Sequence, residues 1–130
     1  MKPELLYLVC VTLLTALMWI PYILDRMAAR GILDTVGYPE NPKAQSAWAK
    51  RMMLAHSNAV ENLVIFAALV LAANAAGVSN STTVLACAGY FWARVVHFLA
   101  YTFALPWIRT LAFVFGFAAQ IALAWQILAH

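Results

Sequence analysis

Residues 44–77 read AQSAWAKRMMLAHSNAVENLVIFAALVLAANAAG. This stretch is taken as one helix, opened by Asn41-Pro42 as an N-cap followed by a first-turn proline, and closed at Gly77. At 1.5 Å per residue it would run roughly 50 Å, more than the ~30 Å hydrocarbon core of a bilayer. Its amino-terminal part, with Lys50 and Arg51, must therefore protrude.

Downstream, residues 77–83 (GVSNSTT) form a short turn rich in helix N-cap residues. The string VLACAGYFWARVVHFLAYTFAL after it is a third apolar segment, and Pro106 opens a fourth that runs to the end of the chain. Upstream, residues 31–42 (GILDTVGYPENP) have the Gly, Asp, Asn and Pro density of a polar loop. Before that loop, Leu5 to Leu24 carries no charge, and Asp25, Arg26 and Arg30 mark an exit from the bilayer. A secretory signal peptide is the rival for this first segment, but the apolar run is too long and has no small-x-small cleavage site. Pro21 should kink the helix or be tolerated by packing against its neighbours. The expectation is an all-α integral membrane protein, a single domain over residues 1–130 with helices at about 3–30, 42–77, 81–104 and 106–129.

Composition agrees. Of 130 residues, 65% are hydrophobic and 10% charged, against roughly 25% charge in a soluble domain. Mean hydropathy is +0.82. Four spans of about 20 residues with their turns fill the length, so no separate soluble domain fits. Cys10 and Cys87 both fall in apolar stretches and support neither a disulfide framework nor a CxxC site. The net charge of +3 needs no nucleic-acid partner, because membrane topology explains where the cations lie. Arg26, Arg30, Lys43, Lys50 and Arg51 surround the first loop, the second has none, and Arg109 stands at the third. The positive-inside rule then puts the first and third loops in the cytoplasm and both termini outside. Nothing in the chain suggests organelle targeting, so a bacterial inner membrane is expected.

An ionisable side chain at bilayer depth costs about 2.5–3.5 kcal/mol even on lenient scales, which makes Glu61 and Arg94 functional candidates. Glu61 lies about 15 Å along its helix from Arg51, and Arg94 about 18 Å from Thr82, so both sit near mid-span and are expected to pair. Asn58, Glu61 and Asn62 share one face of the second helix, while Tyr90, Arg94, His97 and Tyr101 stripe the third. These groups converge on a cytoplasm-facing cleft. A purely structural alternative makes Glu61 and Arg94 a buried ion pair, with Asn58 and His97 as interhelical hydrogen-bond glue. His56 suits a snorkelling or capping role, and Trp48, Trp92, Trp107 and Trp125 suit interface anchors. No glycine-rich phosphate loop, metal-ligand cluster or Ser-His-Asp set is present, so neither metal nor nucleotide is expected.

The strings RMMLAHSNAVENLVIF and ARVVHFLAY, followed by PWIRTLAFVFG, resemble the MAPEG family of membrane-associated proteins in eicosanoid and glutathione metabolism, above all its microsomal glutathione transferase branch. AHxNxxEN at Ala55 to Asn62, ARxxHxxAY at Ala93 to Tyr101, and then Pro106 and Arg109 stand in family order. The resemblance implies a homotrimer of four-helix subunits that binds glutathione between neighbouring subunits. It also implies transfer of the thiol to lipophilic electrophiles, or reduction of lipid hydroperoxides. Arg109 matches the arginine proposed to stabilise the thiolate in such proteins, and Asn58, Glu61, Arg94, His97 and Tyr101 match glutathione-site positions. Arg26, rather than Arg30, matches a contributing arginine at the end of the first helix. The chemistry fits: arginines can grip the carboxylates of glutathione, a glutamate can receive its ammonium, and a guanidinium beside the thiol favours the thiolate.

The chain also departs from the family pattern. Glutathione-using members commonly read ERxxRAH before the asparagine, whereas here the glutamate is Lys50 and the second arginine is Leu54. Ser57 stands where some members have another arginine, and Phe113 replaces the tyrosine of some prostaglandin-forming members. Two rivals to catalysis therefore remain. One is a non-catalytic family member that binds lipids or partners through the same cleft. The other is a small transporter in which Glu61 exchanges protons and a cationic substrate.

Overall fold

The computed structural model describes all 130 residues as five helices and no strand: α1 (Pro3–Leu17), α2 (Trp19–Val36), α3 (Ala47–Ala76), α4 (Ser81–Thr102) and α5 (Pro106–Leu128). Four helical stretches are long and apolar enough to cross a membrane, with α1 and α2 together forming the first, Pro3–Val36.

The break between α1 and α2 falls at Met18, three residues before Pro21. A proline has no N–H to give to residue i−4 and its ring crowds that carbonyl, here Leu17. The ladder resets through a tighter bond, Met18 N–H to the Thr15 carbonyl at 3.3 Å. Inside α2, Gly31 leaves helical geometry at φ 79°, ψ 165°, a conformation open to glycine. Regular helix thus ends near Arg30, where the sequence places the exit from the bilayer.

The start of α3 differs from expectation: Asn41-Pro42 does not open it, and the helix begins at Ala47 behind the N-cap Ser46. The reason is tertiary. Residues 42–46 run back along α2, where the buried Gln45 donates to the Tyr22 carbonyl at 2.8 Å and accepts from Arg26 Nε at 3.0 Å. Arg30 Nε donates to the Lys43 carbonyl at 2.8 Å. The first turn of α3 is capped from outside the helix by Asp25, which accepts from Ser46 N–H at 3.0 Å and Ser46 Oγ at 2.6 Å.

The α3–α4 turn is closed by local chemistry. Gly77 is left-handed (φ 72°, ψ 21°), and Val78 N–H reaches the Ala73 carbonyl at 2.9 Å in a Schellman-type ending. Asn80 and Thr83 form a reciprocal capping box at the start of α4.

Helix α4 is the centre of the bundle, packed against α1, α3 and α5, while α2 leans on α3. The core joins Val11, Phe66, Val70, Cys87, Tyr90 and Leu123, with the Phe66 and Tyr90 rings stacked at 3.9 Å. Both cysteines are free, Cys87 buried and Cys10 half-buried. Large apolar side chains such as Leu13, Val64, Leu85 and Phe115 face outward, as a lipid solvent requires.

At the α1 amino-terminal end, Glu4 is 4% exposed and its Oε1 accepts from Ser79 Oγ at 2.8 Å and Thr83 Oγ1 at 2.6 Å. Asn80 Nδ2 donates to Gln126 Oε1 at 2.9 Å, so α1, the α3–α4 turn and α5 are tied together there.

Candidate functional site

The other end of the bundle holds the polar residues of α3, α4 and the start of α5. On α3, Asn62 Nδ2 donates to the Asn58 carbonyl at 2.9 Å, which holds the two amides on the face turned to α4. There Arg94, only 2% exposed, donates from Nη2 to Asn58 Oδ1 at 2.8 Å. Gln120 of α5 donates to the Asn62 carbonyl at 3.2 Å and closes the layer.

The expected pairing of Glu61 with Arg94 does not occur within the subunit. Asn58 takes the guanidinium instead. Successive α-helical residues turn by about 100°, so Glu61 lies about 60° round the helix from Asn58. That rotation puts Glu61 on the exposed face, with Lys50, Leu54 and Ser57.

One turn further along α4, His97 is 2% exposed and packs edge-on against Tyr101 (5.7 Å between ring centroids) and, tilted, against Phe113 of α5 (6.3 Å). The Arg109 guanidinium sits 5.0 Å above the Tyr101 ring, a cation–π contact that aims it without using its N–H groups. Pro106 at the start of α5 fixes this register, since its ring suits a first helical turn. Ala104 turns the chain between α4 and α5 at φ 59°, and Leu105 N–H reaches the Ala100 carbonyl at 2.8 Å.

These side chains line an open cavity of about 190 Å³, bounded by Asn58, His97, Tyr101, Arg109, Thr110 and Phe113. Beside it, sharing Tyr101 and Arg109, is a recess of about 210 Å³ that Arg51 also lines. Arg51 donates from Nε to the Thr102 carbonyl at 2.9 Å, capping the end of α4. Two buried polar atoms in this region, Arg94 Nε and His97 Nδ1, have no hydrogen-bond partner. A polar cavity between transmembrane helices, with one guanidinium on its edge and a second in the adjoining recess, is suited to an anionic or zwitterionic ligand.

A family model described as the MAPEG family matches residues 5–129, nearly the whole chain. The chain belongs to the MAPEG family. No curated protein and no solved structure gave a match. MAPEG proteins include glutathione transferases and non-catalytic members, and commonly use glutathione.

Within this MAPEG subunit, five of the seven site residues read from the sequence come together: Asn58, His97, Tyr101 and Arg109 around the cavity, and Arg94 behind Asn58. Arg26 is not among them. It lies on the side of α3 turned to α2, bonded to Gln45 and, from Nη2, to Met53 Sδ at 3.6 Å. The nearby Tyr22 hydroxyl and His56 Nδ1 are 2.8 Å apart, so His56 belongs to the α2–α3 contact. Arg51, Thr110 and Phe113 were not among the expected site residues, although spacing carried a signal for two of them. Arg51 stands on the helical face of Ala55, Asn58 and Asn62, and Phe113 follows Arg109 by four positions, whereas Thr110, one position on, carried none. No group of three His, Cys, Asp or Glu side chains is placed to hold a metal ion.

Proposed function

We propose that this MAPEG protein binds glutathione at the Arg109 end of the bundle and activates its thiol. The acceptor would be a lipophilic electrophile for conjugation, or a lipid hydroperoxide for reduction. The observation that carries the reading is Arg109, held 5.0 Å over Tyr101 at the start of α5 and lining a cavity with His97 and Asn58. A guanidinium at a helix amino terminus in a partly dry cleft favours the thiolate over the thiol. His97 and Asn58 supply further hydrogen-bonding groups.

The site is completed by neighbouring subunits of a homotrimer. Glu61 faces outward on α3, free to receive the glutathione ammonium from a ligand lying between subunits, and Arg26 would serve a neighbour's site rather than its own. The first and third loops are cytoplasmic and both termini outside, in a bacterial inner membrane, so water-soluble glutathione enters from the cytoplasm while the bilayer delivers the second substrate.

Calorimetric titration of glutathione into the detergent-purified protein, followed by turnover with electrophile and hydroperoxide panels, tests this reading. Saturable binding with thiol-dependent turnover supports it. The Arg109→Ala variant should lose turnover far more than affinity. One observation favours a second reading: Leu54 is 56% exposed on the same outward face as Glu61, where glutathione-using relatives carry a cation. Binding of lipophiles without any thiol-dependent turnover would make this chain a non-catalytic, lipid-binding member.

A further inference from the structure

We propose that the recess between Arg51 and Arg109 is a seat for the phosphate of an anionic membrane phospholipid, with an acyl chain lying in the apolar furrow between α4 and α5. The inference goes beyond the thiol reading: it concerns the recess that Arg51 lines, which adjoins the thiol cavity and shares Tyr101 and Arg109 with it.

Three features converge. First, the recess of about 210 Å³ holds two guanidinium groups and no acid. Arg51 gives one N–H to the Thr102 carbonyl, Arg109 rests on the Tyr101 ring, and no hydrogen bond joins either to a carboxylate. Two half-buried cations facing one space repel each other until an anion enters, and arginine forks match phosphate oxygens.

Second, the recess lies where head groups lie. It sits at the end of the α4 span and the start of the α5 span, edged by Leu105 and Pro106 and followed by Trp107, which is 79% exposed. An exposed tryptophan at a span end marks the membrane–water interface, and basic pockets between helices at that depth bind lipid head groups.

Third, the apolar surface continues from the recess into the hydrocarbon layer. Leu105 and Pro106 adjoin Trp107 and Ile108, and Ile108 also lines a furrow of about 470 Å³ with Trp92, Val96, Leu111 and Phe115. The furrow exists because Gly89, Ala93 and Ala112 leave the α4–α5 seam without bulk. On α4 the furrow runs from Val96 to Gly89, about 10 Å along the helix, and with the recess at Ala100 the continuous surface covers about 16 Å, on the scale of one leaflet. An acid and an apolar chain are thus accommodated in the order and at the spacing of a phospholipid.

The test is lipid retention measured by native mass spectrometry. Protein purified in detergent is mixed with equal amounts of palmitoyl-oleoyl phosphatidylglycerol and phosphatidylcholine. Two interfacial arginines predict that phosphatidylglycerol is retained about tenfold or more over phosphatidylcholine. Arg51→Gln should bring the ratio near parity. Because Arg51 also caps α4, Leu105→Glu is the companion variant. Its carboxylate lies at the α5 N-cap, four residues before Arg109, where an acid favours the helix and can occupy the arginines in place of phosphate. Leu105→Glu should keep the parental unfolding temperature and lose the phosphatidylglycerol preference. The proposal is overturned by parity in the parent protein, or by an unchanged preference in folded Leu105→Glu. Displacement by equimolar oleate would assign the seat to a carboxylate amphiphile instead, and displacement by equimolar inorganic phosphate would show that the furrow takes no part. Either result also overturns it.

Discussion

The two ends of the bundle use charged side chains in opposite ways. At the amino-terminal end, Glu4 is buried and its Oε1 is shared by the hydroxyls of Ser79 and Thr83, while Asn80 both caps α4 and holds Gln126. The paired polar groups there join helices, although Glu4 Oε2 is buried without a partner. At the opposite end, Arg94 is bound only through Asn58, Arg51 only through the Thr102 carbonyl, and Arg109 only by an aromatic face. Charge is held in place but not neutralised. The contrast separates a closed, stabilising end from an open end with binding capacity in reserve, and substitutions at the two ends should fail in different ways.

The largest effect is expected at Arg109. Arg109→Ala should lower thiol-transfer turnover by roughly 10²–10³, the range seen when a charge-stabilising donor is removed from an active site, with little change in unfolding temperature. Steady-state kinetics on folded protein checks this. Next is Glu4→Ala, which removes a buried acceptor from two hydroxyls. Bonds to charged groups contribute about 1.5–3 kcal/mol, so thermal unfolding in detergent should show a loss of that order while ligand affinity per folded molecule stays the same. If Glu4→Ala impaired ligand binding and spared stability, the division between the ends would be wrong. Asp25→Ala should cost about 1 kcal/mol through loss of the cap on α3, and faster hydrogen exchange in the first turn after Ser46 would localise it. The smallest effect sharpens the contrast: Leu54→Arg adds a cation to the outward face beside Glu61 and should tighten glutathione several-fold, by about 1 kcal/mol or less at an exposed position. Calorimetry on the variant measures that gain.

Much of this division was legible in the sequence where the cause is local. Four apolar stretches, the break near Pro21, the turn at Gly77 and the helix start at Pro106 each follow from residues within a turn of the feature they produce. The start of α3 was not legible, because its cap is supplied by Asp25 from more than twenty positions away. The polar stripes were legible as stripes, but periodicity does not set the rotation of a helix against its neighbour. The sequence put Glu61 opposite Arg94, but packing turned Asn58 inward to the guanidinium and Glu61 out. Glu4 escaped notice for a related reason: an acid at the edge of a span reads as a solvated flank, and only the returning α3–α4 turn makes it buried.

In the proposed function the open end ionises a thiol, and ultraviolet difference absorbance follows that ionisation as glutathione is titrated into the parent protein, Arg109→Ala and Glu4→Ala. The account predicts a saturable thiolate band in the parent and, per folded molecule, in Glu4→Ala, with the band lost or strongly reduced in Arg109→Ala at an unchanged unfolding temperature. No thiolate in the parent at millimolar glutathione, or an equal band in Arg109→Ala, would contradict it.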